Sequence, residues 1–307
     1  MSNSLNEKYL QAIKFCENKN VSSRFAQIYP FTTENIMGYI DKFDLNGKSL
    51  LTVGSSCDQA INACMFGCED VTILDICPFT KFYFYLKKAG LLELSYEEFQ
   101  NYFCYKDFPK TFQDNQDVLN RDLYFKLRDT LKSLDYASYY FWNDLYRCNK
   151  PLSIRERIFS FDEEKIYVLK RANLYLKDET NFNDCKKKIE NFDPKIVNND
   201  IFKTEFNRNF DNIWLSNIPQ YLTPEKFKKL TDNMIKLLNN DGKLLMCYLY
   251  QTQSNTKYYS EYAPIYNLKE TYKLFKNYLI ELESFIGVHG LLHETESSKD
   301  SILIYKK

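Results

Sequence analysis

The stretch 48–75 constrains this chain most, because it leaves room for only one kind of local architecture. Ser49-Leu50-Leu51-Thr52-Val53 is a short apolar β-type run that ends at Gly54. Asp58 through Phe66 carries apolar residues at helical spacing, Gly67 closes that helix, and Val71-Thr72-Ile73-Leu74 is a second β-type run with Asp75 at its end. Antiparallel strands can be joined by a tight turn, whereas two strands separated by a helix pair in parallel. A parallel pair has to be covered on both faces, which commits the chain to an α/β sheet.

The remaining pattern extends that sheet. After Pro78 a helix is expected to run to Ala89 and stop at Gly90. Residues 91–190 contain no glycine and read as helical: Phe125, Leu127, Leu131 and Leu134 keep helical spacing, Tyr139-Tyr140-Phe141-Trp142 is a dense aromatic block, and Pro151 is an expected break. Strand logic returns at Ile196-Val197, Ile213-Trp214-Leu215 and Lys243 to Tyr250. Leu282 to Val288 and Ser301 to Tyr305 close the chain as an antiparallel edge. Thr223 caps a helix with Pro224 at its first position, expected to run to Leu238, and Leu268 to Asn277 reads as another. Residues 5–42 are expected to be helical, with Tyr9, Ile13 and Cys16 and then Ile36, Ile40 and Phe43 at helical steps, an interruption at Tyr29-Pro30-Phe31, and a restart at Thr33-Glu34-Asn35. The expected fold is therefore α/β: a Rossmann-like, seven-stranded, mostly parallel sheet with an N-terminal helical segment over 1–47 and a helical insertion over 91–190. Residues 48–90 and 191–307 build the ligand-binding domain, and the insertion is expected to cover an acceptor as a lid.

Composition removes several function classes. The 41 basic and 41 acidic side chains leave no net field to hold a polyanion, so nucleic acid is not an expected partner. No apolar run approaches the roughly 20 residues that span a bilayer, and the start Met1-Ser2-Asn3-Ser4 lacks a signal-peptide core, so a cytoplasmic protein with no transmembrane segment is expected. The nine cysteines show no paired C-x-x-C spacing. Cys57, Cys64 and Cys68 match no zinc knuckle, and with only His289 and His293 elsewhere no metal is expected. The pattern does not address oligomeric state.

In a doubly wound sheet ligands lie beyond the carboxyl ends of the strands, where neighbouring crossovers diverge. The strand ends here carry suitable chemistry. Gly54-Ser55-Ser56-Cys57-Asp58 is a turn that exposes backbone N–H groups at a helix start, suited to an anion or carboxylate. Asp75, followed by Ile76, presents a carboxylate that can accept both hydroxyls of a ribose. Asn199 and Asp200 follow the third strand, and Ser216-Asn217 follows the fourth, opposite the first turn. The turn lacks the second and third glycines that let a pyrophosphate approach, which disfavours a nicotinamide or flavin cofactor.

These residues resemble the class I S-adenosylmethionine-dependent transferases over 48–90 and 195–305. The resemblance implies S-adenosylmethionine as cofactor, its methionine moiety at the Gly54–Asp58 loop, its ribose at Asp75 and its adenine edge at Asn199 and Asp200. Ser56-Cys57-Asp58-Gln59-Ala60, Asp75-Ile76-Cys77-Pro78 and Leu94-Ser95-Tyr96-Glu97-Glu98-Phe99 are together similar to the S-adenosylmethionine:diacylglycerol 3-amino-3-carboxypropyltransferases, the betaine-lipid enzymes. Cys57 stands where that family has glycine, and Gln59 where it has asparagine. Three functions follow from the residues and the resemblance: methyl transfer to a small molecule or protein, aminocarboxypropyl transfer to a lipid or metabolite, or a non-catalytic module that kept the fold. A blocked cleft beside Gly54 and Asp75 marks the last. An exposed apolar or basic face on the insertion marks a lipid acceptor. Arg24, Tyr29 and Phe31 are considered as a cover over the cofactor, against packing of the N-terminal segment onto the sheet. Glu97 and Glu98 read as a charged helix start, and neither histidine reads as catalytic.

Overall fold

Leu50 and Leu51 are neighbours in the chain yet bury in different cores, because successive side chains of a strand point to opposite faces. That division organises the whole molecule. The computed structural model describes residues 28–32, 34–103, 121–147, 166–218, 222–248, 282–289 and 299–307. Within them the strands are β1 (Ser49–Val53), β2 (Asp70–Asp75), β3 (Lys195–Asn198), β4 (Phe210–Trp214), β5 (Leu238–Tyr248), β6 (Leu282–His289) and β7 (Lys299–Lys306). They form one seven-stranded sheet in the order β3-β2-β1-β4-β5-β7-β6. The pairs from β3 through to β5 are parallel, and β7 lies antiparallel to both β5 and β6. The fold is the Rossmann-like α/β arrangement expected of the sequence.

The first crossover runs through α1 (Asp58–Met65) on one face. That face also carries α2 (Thr80–Glu93). Between β2 and β3 the chain adds α3 (Tyr96–Phe103), α4 (Arg121–Leu134), α5 (Tyr136–Arg147), α6 (Ile166–Ala172), α7 (Leu174–Lys177) and α8 (Glu179–Ile189). The helices α4 and α5 pack on α2, while α8 packs on both α1 and α2. A single apolar cluster joins Leu50, Ile73 and Trp214 of the sheet to Phe99, Leu127, Phe141 and Phe182 of these helices. On the opposite face α9 (Pro224–Lys236) buries Phe227, Leu230 and Met234 against Leu51, Ile213, Leu244 and Met246. The β1–β2 and β4–β5 crossovers thus leave adjacent strands toward opposite faces, so the carboxyl ends of β1 and β4 flank the topological switch point, the crevice position of a doubly wound sheet.

Three local expectations need correction. Gly90 does not stop α2, which continues to Glu93, because a side chain at this position would sit 2.5 Å from Phe103 Cε2. The glycine admits the close approach of α3 rather than ending the helix. The apolar spacing at Ile36, Tyr39 and Ile40 marks two 3₁₀ turns, Ile36–Gly38 and Ile40–Lys42, where an α-helix was expected. Tyr39 and Phe43 from these turns pack edge-on to Trp214 at 5.7 and 5.2 Å, so the periodicity located a buried face without distinguishing the helix type. Thr223 caps α9 as expected, accepting from Lys226 N, but the helix ends at Lys236 and β5 already begins at Leu238. A register shift between Phe210 and Asn212 absorbs the extra residues there. The expected helices over 5–27 and 268–277, and the break at Pro151, lie outside the described residues.

Candidate functional site

The β1 turn is shaped by Asp75. Its carboxylate accepts from Ser55 N at 2.6 Å and the Thr80 hydroxyl at 2.7 Å through one oxygen, and from Cys77 N at 2.9 Å through the other. The end of β2 thereby holds the turn after β1 against the head of α2. Gly54 sits under this clasp, where a Cβ would collide with Thr80 Cγ2 and Asp75 Oδ2. Burial pushes the Asp75 carboxyl above the usual range, and the backbone and hydroxyl donors pull against that.

Among the described residues the non-glycine positions with positive φ are Ser55 (45°), Cys57 (65°), Ser216 (53°) and Asp241 (62°). Three of these lie in the β1 and β4 turns that flank the crevice. Left-handed backbone at residues with a Cβ is strained and persists only where the surroundings over-determine it. Cys57, at the position where glycine was noted as the alternative, is fully buried with its Sγ 3.7 Å from the Thr80 carbonyl. Its side chain therefore packs inward, beneath the turn. Burial pushes its thiol well above the ordinary range, which makes it an inert core group.

Beyond β2, Ile76 is 48% exposed. The Asn198 amide donates to the Asp75 and Ile76 carbonyls at 2.9 and 3.0 Å, and Asn199 N donates to the Asp75 carbonyl at 3.0 Å. The β3 end is thus tied to the β2 end, and Asn199 and Asp200 share an edge with Ile76. Their side chains also serve the local turn: Asn199 accepts from Asp200 N and Asp200 accepts from Phe202 N, each at 2.9 Å.

Asp58 does not face the crevice. It is fully buried, and its carboxylate accepts from Lys87 Nζ at 2.5 Å, the Tyr175 hydroxyl at 2.7 Å, Thr32 N at 2.6 Å and the Ser56 hydroxyl at 3.0 Å. Lys87, equally buried, also donates to the Ser56 carbonyl at 3.0 Å and stands 4.3 Å from the centre of the Phe31 ring. Turn, α2, helical insertion and N-terminal segment are joined at this one ion pair. Ser56 is fully buried within it, and Phe31 packs here.

Ser216 leads to a second buried acid. Its hydroxyl donates to Glu34 Oε1, and its carbonyl accepts from Cys247 N at 2.8 Å. Glu34, 4% exposed, accepts through Oε2 from the Tyr39 hydroxyl at 3.3 Å and Gln59 Nε2 at 3.4 Å, and the Cys247 thiol also bonds to it. Burial raises its carboxyl above the usual value against these donors. Gln59 Oε1 is buried with no hydrogen-bond partner. Gln59 belongs to the first turn of α1, Ser216 follows β4 and Cys247 belongs to β5, so Glu34 lies at the crevice. Asn217 lies beside it, with its side-chain oxygen 3.5 Å from the Ser216 hydroxyl.

Sequence reasoning placed Gly54, Asp75, Ile76 and Ser216 at strand ends that the fold brings together. It missed Lys87, Tyr175 and Gln59 as site-building groups, and read Glu34 only as part of a helix start. The available signal was an acid two residues before buried Ile36 and five before buried Tyr39, which cannot announce a partner after β4. Glu98 caps α3, accepting from Ser95 N at 2.9 Å, and pairs with Lys126 at 2.6 Å, in agreement with a charged helix start. Arg24 and His293 lie outside the described residues. No group of metal-ligating side chains occurs among the described residues.

No protein-family model matches the sequence, and no curated protein matches it. Among solved structures the chain is similar to the N-methyltransferase NodS of Bradyrhizobium japonicum WM9 in complex with S-adenosyl-L-homocysteine, at 8% identity and a TM-score of 0.43, covering 98% of each chain. It is similar to the glycopeptide N-methyltransferase MtfA complexed with S-adenosyl-L-methionine, at 8% identity and a TM-score of 0.42, over 91% of this chain and 96% of the other. The magnesium protoporphyrin IX methyltransferase ChlM of Synechocystis PCC 6803 aligns at 8% identity and a TM-score of 0.39, over 97% and 83%.

Proposed function

We propose that the protein is an S-adenosylmethionine-dependent transferase, methyltransferase-like, whose cofactor lies across the carboxyl ends of β1, β2 and β4. The observation that carries this reading is the concentration of strained backbone in the two turns that flank the crevice, Ser55 and Cys57 on one side and Ser216 on the other. In this reading the head of α1 at the Gly54–Asp58 turn faces the methionine carboxylate. Asp75, half-buried at the end of β2, marks the ribose position, and Ile76 offers its exposed face to adenine beside Asn199 and Asp200. Asp58 and Ser56 act from beneath, keeping the turn in place. The inward packing of Cys57 favours this over a module with a blocked turn. A sulfonium carries its own leaving group, so alignment of the acceptor and exclusion of water are the main tasks left to the protein.

A lipid acceptor is favoured by one observation. Of the large hydrophobic residues exposed among the described residues, Phe125, Tyr136 and Tyr140 all belong to α4 and α5. Arg121 and Arg128 stand 5.6 and 4.9 Å from the Phe125 ring, and Lys132 stands 5.6 Å from the Tyr139 ring. Cations interleaved with exposed rings suit the interface of an anionic bilayer.

Calorimetric titration with S-adenosylmethionine and S-adenosylhomocysteine, with NAD as competing nucleotide, tests the cofactor. Micromolar binding of the first two alone is expected, and binding of neither overturns the proposal. Once an acceptor is found, the product identifies the transferred group: S-adenosylhomocysteine for methyl transfer, 5′-methylthioadenosine for aminocarboxypropyl transfer. Co-sedimentation with phosphatidylglycerol vesicles, reduced by Phe125→Ser, is the expected outcome for a lipid acceptor.

A further inference from the structure

The two buried carboxylates at the carboxyl end of the sheet are compensated differently. Asp58 has a buried ammonium, Lys87, at 2.5 Å. Glu34 is surrounded by neutral groups: the hydroxyls of Ser216 and Tyr39, the amide nitrogen of Gln59 and the thiol of Cys247. Among the described residues no basic side chain is paired with it. Gln59, 2% exposed, lays its amide against Glu34 and leaves Oε1 without a donor. A buried polar atom with no partner is costly, and so is a buried carboxylate with no counter-charge. A single cationic donor entering the crevice would relieve both.

From this we infer that Glu34, Gln59 and Ser216 form the subsite for the α-ammonium group of the cofactor's amino acid portion. The inference rests on the proposed S-adenosylmethionine reading and assigns that ligand's charged groups to different walls of the crevice. An ammonium has three N–H donors, and this cluster offers three acceptors: a Glu34 carboxylate oxygen, Gln59 Oε1 and the free lone pair of Ser216 Oγ. A sulfonium has no N–H or O–H and leaves Gln59 Oε1 unsatisfied. A carboxylate would be repelled by Glu34 and is better placed at the positive head of α1. Gln59 and Ser216 come from elements following β1 and β4, the strands whose crossovers diverge, and Glu34 joins them from the segment before β1. Among the described residues the other titratable groups facing Glu34 are Tyr39 and Cys247, both of which donate to it, and none supplies a cation to replace the ligand's.

The test compares two probes on the full chain: S-adenosylhomocysteine and its deaminated analogue, 5′-S-(3-carboxypropyl)-5′-thioadenosine. Glu34→Gln is expected to weaken S-adenosylhomocysteine roughly 30-fold or more, the cost of truncating a buried charged pair, and to change the analogue by less than about twofold. Gln59→Met is expected to weaken S-adenosylhomocysteine by about fivefold, again sparing the analogue. It serves as the independent variant should Glu34→Gln unfold. Wild-type affinity for S-adenosylhomocysteine, but not for the analogue, is expected to fall as pH drops and Glu34 takes up a proton. Equal weakening of both probes, or of neither, overturns the ammonium subsite while leaving the cofactor reading intact. Binding of neither probe to the wild type overturns both.

Discussion

The Asp58 and Glu34 clusters lie at the same end of the same sheet, and each encloses a buried carboxylate. At Asp58 the charge is answered within the chain by Lys87, and the remaining lone pairs accept from Tyr175, Thr32 and Ser56. At Glu34 every donor among the described residues is neutral and a neighbouring acceptor is unpaired. Removing one partner of a satisfied buried ion pair exposes the full cost of the other charge, whereas neutralising an uncompensated acid removes a cost already present. The first cluster is arranged for cohesion, and the second sacrifices cohesion at a place where a ligand can restore it.

The largest expected effect follows from breaking the satisfied side. Lys87→Met leaves Asp58 buried and unpaired, and chemical denaturation should show a loss of about 3–5 kcal/mol. Tyr175→Phe removes one hydrogen bond to the same carboxylate and should cost roughly 1.5–3 kcal/mol by the same measurement. Gly90→Ala drives a methyl group into Phe103 and should lower stability by about 1–3 kcal/mol despite alanine's better helix propensity. Glu34→Gln is expected to act in the opposite direction, stabilising the ligand-free protein at neutral pH by on the order of 1 kcal/mol. Its sign depends on pH. The Glu34 carboxyl titrates above its ordinary value of 4.5 because burial disfavours the charged form. The folded state therefore binds this proton more tightly than the unfolded state. The stability it supplies is complete below 4.5 and is lost as pH rises through the raised folded value, so the advantage of Glu34→Gln should open with increasing pH. Equal denaturation midpoints for wild type and Glu34→Gln across that range would remove the distinction between the two clusters.

Legibility of the site tracked distance along the chain. Gly54, Ser55, Asp75 and Ile76 were readable because the βαβ unit that presents them is local and its punctuation lies in the same short stretch. The Asp75 clasp needs only residues 55–80, although its detailed role, accepting from Ser55, Cys77 and Thr80, is not visible in the letters. Asp58 looked equivalent to them, being the first residue of a helix at a strand end. Its partners lie 29 residues on at Lys87 and 117 residues on at Tyr175, and they turn its carboxylate into the core. Glu34 meets Ser216 across 182 residues, a pairing for which no local pattern exists. Gly90 and the 3₁₀ turns at Ile36–Gly38 and Ile40–Lys42 belong to the same class, since local spacing named a buried face or a break and packing against Phe103 and Trp214 chose the conformation.

What the sequence determined by itself is the α/β class, the identity of the strands and the residues standing at their ends. Those follow from backbone hydrogen bonding and the two periodicities of side-chain direction, which act over a few residues. Tertiary structure alone decided which buried acid is neutralised by a lysine and which meets only neutral donors among the described residues. Charge compensation depends on distances of a few ångströms between groups far apart in sequence, and a low-dielectric interior makes each such pairing energetically decisive.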